Sequence, residues 1–125
     1  MRELSIFIVE DETLIRMMLA EMIEELGHRV AAEAGELKDA QGLAETATFD
    51  LAILDVNVGG GKIDPIAEIV SRRNLPFVFA TGYAGSNLPG DFIDRPYLQK
   101  PYSLDKLRQA IDLALSGGAG GASAS

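Results

Sequence analysis

The chain has 125 residues, 19 acidic against 11 basic side chains for a formal net charge of -8, and no cysteine. This charge balance offers no electrostatic footprint for nucleic acid or an anionic membrane surface, and the missing thiols exclude disulfides and cysteine chemistry. With 47% hydrophobic residues, no secretory segment and no apolar run of spanning length, one folded domain in the cytoplasm is expected, with neither a nucleic-acid nor a membrane partner.

The first expected strand is Leu4 to Val9, LSIFIV, which runs into Glu10, Asp11 and Glu12. Apolar residues at Leu14, Met18, Met22 and Leu26, beside Ile15, Leu19 and Ile23, predict an amphipathic helix from Thr13 to Leu26 that Gly27 can end. Glu12 reads as a helix-start acid, capping or favoured by the helix dipole. Glu10 and Asp11 lie at the strand's carboxyl end, where chemistry is the stronger reading. His28 to Ala34 is a weaker strand, and Glu36 to Ala47 a helix facing inward through Leu37, Ala40, Leu43, Ala44 and Ala47. His28 is the sole histidine, lies in a turn and has no partners for catalysis or metal binding, so a solvated surface role is expected.

Leu51, Ala52, Ile53 and Leu54 are apolar without alternation, as in a central parallel strand covered on both faces, and they deliver Asp55 to the point where the strand meets water. Ligand sites of parallel α/β sheets form beyond the carboxyl ends of strands. A glycine-rich loop from Asn57 to Lys62 follows, and Asp64-Pro65 predicts a helix with an N-cap acid, running to about Asn74. Pro76 to Ala80 is the fourth strand, ending in Thr81-Gly82. Tyr83 to Asp94 contains Gly85, Pro89 and Gly90, so any fourth helix there is short or broken. Pro96 to Gln99 is a fifth strand leading to Lys100-Pro101. Ser103 caps a last helix whose inner side is Leu104, Leu107, Ala110, Ile111, Ala114 and Leu115. The domain is expected over residues 1–116, with residues 117–125 a flexible Gly/Ser/Ala tail of linker-like composition. Five β-α repeats predict an α/β, doubly wound, five-stranded parallel sheet with helices on both faces.

The strand ends therefore offer Glu10 and Asp11, then Asp55, then Thr81, then Lys100. In that order they resemble the receiver domain of bacterial response regulators, of the chemotaxis type, over residues 3 to 115. The resemblance implies the flavodoxin-like strand order 2-1-3-4-5, which makes the first and third strands neighbours and gathers the three acids. Crowded carboxylates repel unless a hard divalent cation neutralises them. Magnesium would be held by Glu10, Asp11, Asp55 and the backbone carbonyl of Asn57. The resemblance also implies that Asp55 accepts a phosphoryl group from a sensor histidine kinase, that Thr81 and Lys100 assist catalytically, and that Thr81 and Tyr97 form a switch. It makes Lys100-Pro101 a cis peptide. The protein would then be a regulator rather than an enzyme, acting on a separate downstream signalling protein or phosphotransfer protein.

PFVFATGY, Pro76 to Tyr83, together with LDVNVGG, is similar to the FAT GUY subgroup of single-domain response regulators, which implies general stress signalling. Three departures stand out. Val58-Gly59 and two further glycines replace the Met-Pro of many receivers, implying a less rigid loop. A Gly/Pro segment stands in place of the fourth helix, and Glu10 stands where aspartate is commonest. A haloacid-dehalogenase-like phosphatase shares the Asp, Thr, Lys order, but Asp55-Val56-Asn57 lacks its second acid and the chain has no length for a cap domain. A non-phosphorylated pseudo-receiver shares the fold, against which the intact acids, Thr81 and Lys100 argue.

Overall fold

A computed structural model describes residues 3–82 and 95–117. The elements follow the chain as β1 (Ser5–Val9), α1 (Thr13–Glu25), β2 (Arg29–Ala34), α2 (Leu37–Thr46), β3 (Leu51–Asp55), β4 (Asn57–Val58), β5 (Gly61–Lys62), α3 (Asp64–Arg72), β6 (Phe77–Thr81), β7 (Tyr97–Gln99) and α4 (Leu104–Gly117). Five strands form one sheet in the order β2-β1-β3-β6-β7, while β4 and β5 pair only with each other. All pairings within the five-stranded sheet are parallel. Once the small hairpin is set aside, β6 and β7 are the fourth and fifth strands of the expected 2-1-3-4-5 order.

The apolar strands are unalternating because each of their faces is covered. Ala52 and Leu54 join Phe7, Val9, Phe77 and Phe79 in a core shared with Ala40 and Ala44 of α2 and Ile66, Ala67 and Val70 of α3. Leu51 and Ile53 point the other way, into a core with Ile6, Ile8, Leu19 and Ile23 of α1 and Leu107 and Ile111 of α4. Period-two pointing therefore divides one continuous apolar run between two layers of helix. The register Val9↔Leu54, Asp55↔Ala80 and Thr81↔Gln99 aligns the carboxyl ends of four strands at one edge.

Several expectations are corrected. Leu14 is 75% and Met18 50% exposed, because α1 meets the sheet mainly through Leu19 and Ile23, with Ala20, Met22 and Leu26 packing at the side, while Leu14 and Met18 lie farther round the helix. His28 is buried rather than solvated, its Nδ1 accepting the Leu4 N–H at 3.1 Å where the β2 approach meets the start of β1. Glu12 occupies the N-cap position of α1, yet its side chain makes no capping bond. Asp64 is the first residue of α3 rather than its N-cap, a place taken by Ile63, so the acid acts through the helix dipole alone. Ser103 does cap α4, accepting the Lys106 N–H at 3.2 Å. Leu115 is exposed instead of inward. The expected short or broken helix within residues 83–94 and the tail beyond residue 117 lie outside the described residues. Among the described residues no helix is long and apolar enough to cross a membrane.

Candidate functional site

The chain leaves β1 through Glu10, whose N–H donates to the Ala34 carbonyl at 3.0 Å and whose own carbonyl accepts Arg16 Nη1 at 2.5 Å. These bonds fix the corner between β1 and α1. They leave the Glu10 carboxylate 1% exposed, where a charge must be compensated. Its Oε2 accepts the Glu12 N–H at 3.0 Å, and its Oε1 lies 3.0 Å from the ammonium of Lys100 as an ion pair rather than an aligned hydrogen bond.

Asp55 ends β3. It was expected at the water boundary, but it is only 5% exposed, because the same Lys100 Nζ donates to its Oδ2 at 3.2 Å while the Asn57 N–H meets its Oδ1 at 3.3 Å. One ammonium thus spans two buried carboxylates from sequence-remote strand ends. Burial above all, and then the Glu10 charge, raise the Asp55 pKa to about 7, against the opposing pull of Lys100. Burial acts to lower the Lys100 pKa, but the two carboxylates outweigh it and the net shift is upward.

Asp11 is exposed. Its Oδ2 accepts the Gly59 N–H at 3.0 Å, which pins the corner after β1 to the β4–β5 hairpin. Desolvation would raise its pKa, but the Gly59 N–H and the other bonds to it bring the net shift downward. The glycine-rich stretch is more ordered than a loop: Asn57 pairs with Lys62 and Val58 with Gly61, and Gly59 and Gly60 turn the corner at φ 57° and 81°. Two left-handed residues in succession make the turn that suits the twist of a hairpin.

Thr81 ends β6, is 2% exposed, and its carbonyl accepts the Lys100 N–H at 2.8 Å. The Lys100–Pro101 peptide is cis. Tyr97 stands on β7 at 44% exposure, in register with Phe79 and outside the acid pocket. The expected site residues are thus gathered at one sheet edge, Tyr97 at its side. One carboxylate oxygen from each of Glu10, Asp11 and Asp55 lies within 4.8 Å of the others. Three hard oxygen donors at this spacing, with no nitrogen or sulfur among them, fit magnesium or calcium better than zinc.

Two members of the site were not anticipated. Arg16 bridges the Glu10 carbonyl and, through Nε at 3.2 Å, Glu33 of β2, lying so close over Gly35 that any Cβ there would sit 2.7 Å from Nη1. Its signal in the sequence was a cation on an otherwise apolar side of α1, one turn after the acids. Tyr102 follows the cis proline, with its hydroxyl sealed from solvent beside Glu10.

The response regulator receiver domain family matches residues 6–112. The transcriptional regulatory protein PdtaR of Mycobacterium tuberculosis is 42% identical over 115 residues, covering 89% of this chain and 56% of its own. The chain therefore spans about half the length of the curated relatives it matches. Among solved structures, SdrG from Sphingomonas melonis Fr1 superposes with a TM-score of 0.81 at 41% identity, over 90% of this chain and 97% of that one. The receiver domain of the Erythrobacter litoralis response regulator PhyR gives 0.76 at 30% identity, over 93% and 92%.

Proposed function

Because the chain belongs to the response regulator receiver family, we propose that it accepts a phosphoryl group on Asp55 from the phosphohistidine of a sensor histidine kinase, and that magnesium supports the transfer. The observation that carries this reading is the Lys100 ammonium spanning Glu10 and Asp55 at 3.0 and 3.2 Å, with Thr81 next to it on the neighbouring strand end.

A carboxylate oxygen of Asp55 attacks phosphorus, the donor's N–P bond breaks, and its electron pair returns to the imidazole, leaving an acyl phosphate. Glu10, Asp11, Asp55 and the Asn57 carbonyl would hold the cation, which supplies charge neutralisation for the transferring group. Lys100 turns from Asp55 Oδ2 to a phosphoryl oxygen, and the Thr81 hydroxyl donates to another. The receiver domain occupies residues 1–116. Its readout is the surface around β6, β7 and the connection between them, met by a separate downstream signalling or phosphotransfer protein. The resemblance of residues 76–83 to the FAT GUY motif supports an output in general stress signalling.

Incubation with phosphorylated histidine kinases and magnesium is expected to label the wild-type chain in an acid-labile form. Asp55→Asn should take no label, since an amide cannot serve as the nucleophile. Undiminished labelling of that variant would overturn the assignment.

A further inference from the structure

Two polar atoms of the acid pocket are sealed from solvent without an aligned hydrogen bond: Glu10 Oε1 and the Tyr102 hydroxyl. They are neighbours: the Glu10 side chain lies within reach of the phenol, though the two are not aligned for a hydrogen bond. A buried hydroxyl left in this way costs stability that a phenylalanine ring would not. Glu10 Oε1 relies on Lys100 at 3.0 Å, and the same ammonium also serves Asp55. When a phosphoryl group draws Lys100 away, the one hydrogen-bond donor left to Glu10 beside the cation is the Glu12 N–H on Oε2. A carboxylate that is 1% exposed then needs a second donor for its other oxygen.

We propose that Tyr102 is a positioning residue of the acid pocket: its hydroxyl turns to donate to Glu10 Oε1 when Lys100 moves to the phosphoryl group, keeping Glu10 charged and directed in the phosphorylated state. This rests on the receiver reading given above. A phenol is protonated at neutral pH, so the hydroxyl is available as a donor.

Beryllofluoride with magnesium serves as the phosphoryl probe. Tyr102→Phe keeps the ring and removes the hydroxyl, and it should bind beryllofluoride about tenfold more weakly, the scale of a hydrogen bond to a buried charge or of a partner that orients a metal ligand. Binding of magnesium alone should change less than about twofold, since Lys100 still covers Glu10 without the phosphoryl group. In wild-type protein labelled at tyrosine Cζ, with the three tyrosines assigned by single Phe substitutions, the Tyr102 resonance should shift on adding beryllofluoride. Equal weakening of both ligands, undiminished beryllofluoride binding, or an unmoved Tyr102 resonance would overturn the role. A wild-type chain that takes no beryllofluoride would overturn the receiver reading itself, and this inference with it.

Discussion

Asp55, the proposed nucleophile, is held where its charge is disfavoured. Burial first, and Glu10 second, lift its pKa from 3.8 to about 7 despite Lys100. A carboxyl whose folded pKa lies above its unfolded value binds its proton more tightly when native. The stability this contributes is present below about pH 4 and is lost as pH rises through about 7. Asp55→Asn is neutral throughout, so without divalent cations it should be more stable than wild type above that range, by roughly 1–3 kcal/mol, and the two should converge under acid conditions. Urea denaturation across that pH range measures the difference. A gap independent of pH would mean that Asp55 is not the strained carboxyl. Magnesium binding only the folded protein should narrow the gap by stabilising wild type.

Asp11 supplies a second test among single residues. Its Oδ2 is engaged by the Gly59 N–H at 3.0 Å, so a cation held by this carboxylate comes close to that amide. Titration with millimolar magnesium should move the Gly59 amide resonance together with those of Glu10, Asp11 and Asn57. Weak binding is expected, because magnesium dehydrates reluctantly. Changes only at other residues would show that the acid pocket is not the cation site.

At the level of elements, the β4–β5 hairpin positions the site's upper wall, and its turn rests on backbone freedom. Gly60 has φ 81° with no atom within 4 Å of where a Cβ would stand, so a substitution there meets strain and no clash. Gly60→Ala should therefore cost about 1 kcal/mol of stability. A loss several times larger in urea melts would mean that packing, and not φ, governs the position. A second fixture is Arg73, which donates to the Ala44 carbonyl at 2.5 Å and the Ala47 carbonyl at 2.9 Å and lies 4.9 Å over the Phe49 ring. It satisfies the carboxyl end of α2 from the end of α3. Arg73→Ala should cost about 2 kcal/mol, measured the same way.

The sequence reveals some of these elements and conceals others for physical reasons. Strands such as Leu51–Asp55 and Phe77–Thr81 are legible because burial on both faces demands uninterrupted apolar runs. The hairpin was hidden because each arm has two residues, too few to display alternation, while three adjacent glycines suggest freedom rather than a turn. Leu14 and Met18 misled because periodicity identifies an apolar stripe without saying how much of it the sheet covers. His28 looked solvated because nothing local announces a bond to Leu4, 24 residues away. Glu10, Asp11, Asp55, Thr81 and Lys100 could be found because each directly terminates or follows a strand. Arg16 and Tyr102 act through partners fixed only by the tertiary fold.

Across the whole molecule, the parallel register joins Asp55, the proposed phosphoryl acceptor, to the strands on one side of it. Asp55 pairs with Ala80, next to Thr81, and the Thr81 carbonyl holds the Lys100 N–H at 2.8 Å. Phosphorylation would place roughly two negative charges and three acceptor oxygens at Asp55, and Thr81 and Lys100 stand at the carboxyl ends of the next two strands, β6 and β7. Drawing the Thr81 hydroxyl inward vacates space that the Tyr97 ring, 44% exposed on β7, is expected to fill. Amide shifts and hydrogen exchange with and without beryllofluoride should change from Thr81 to Lys100, with Tyr97 becoming less accessible. If changes are confined to residues 57–63 while Thr81 to Lys100 stay as they are, Asp55 would keep its role as acceptor, but this output route would be refuted.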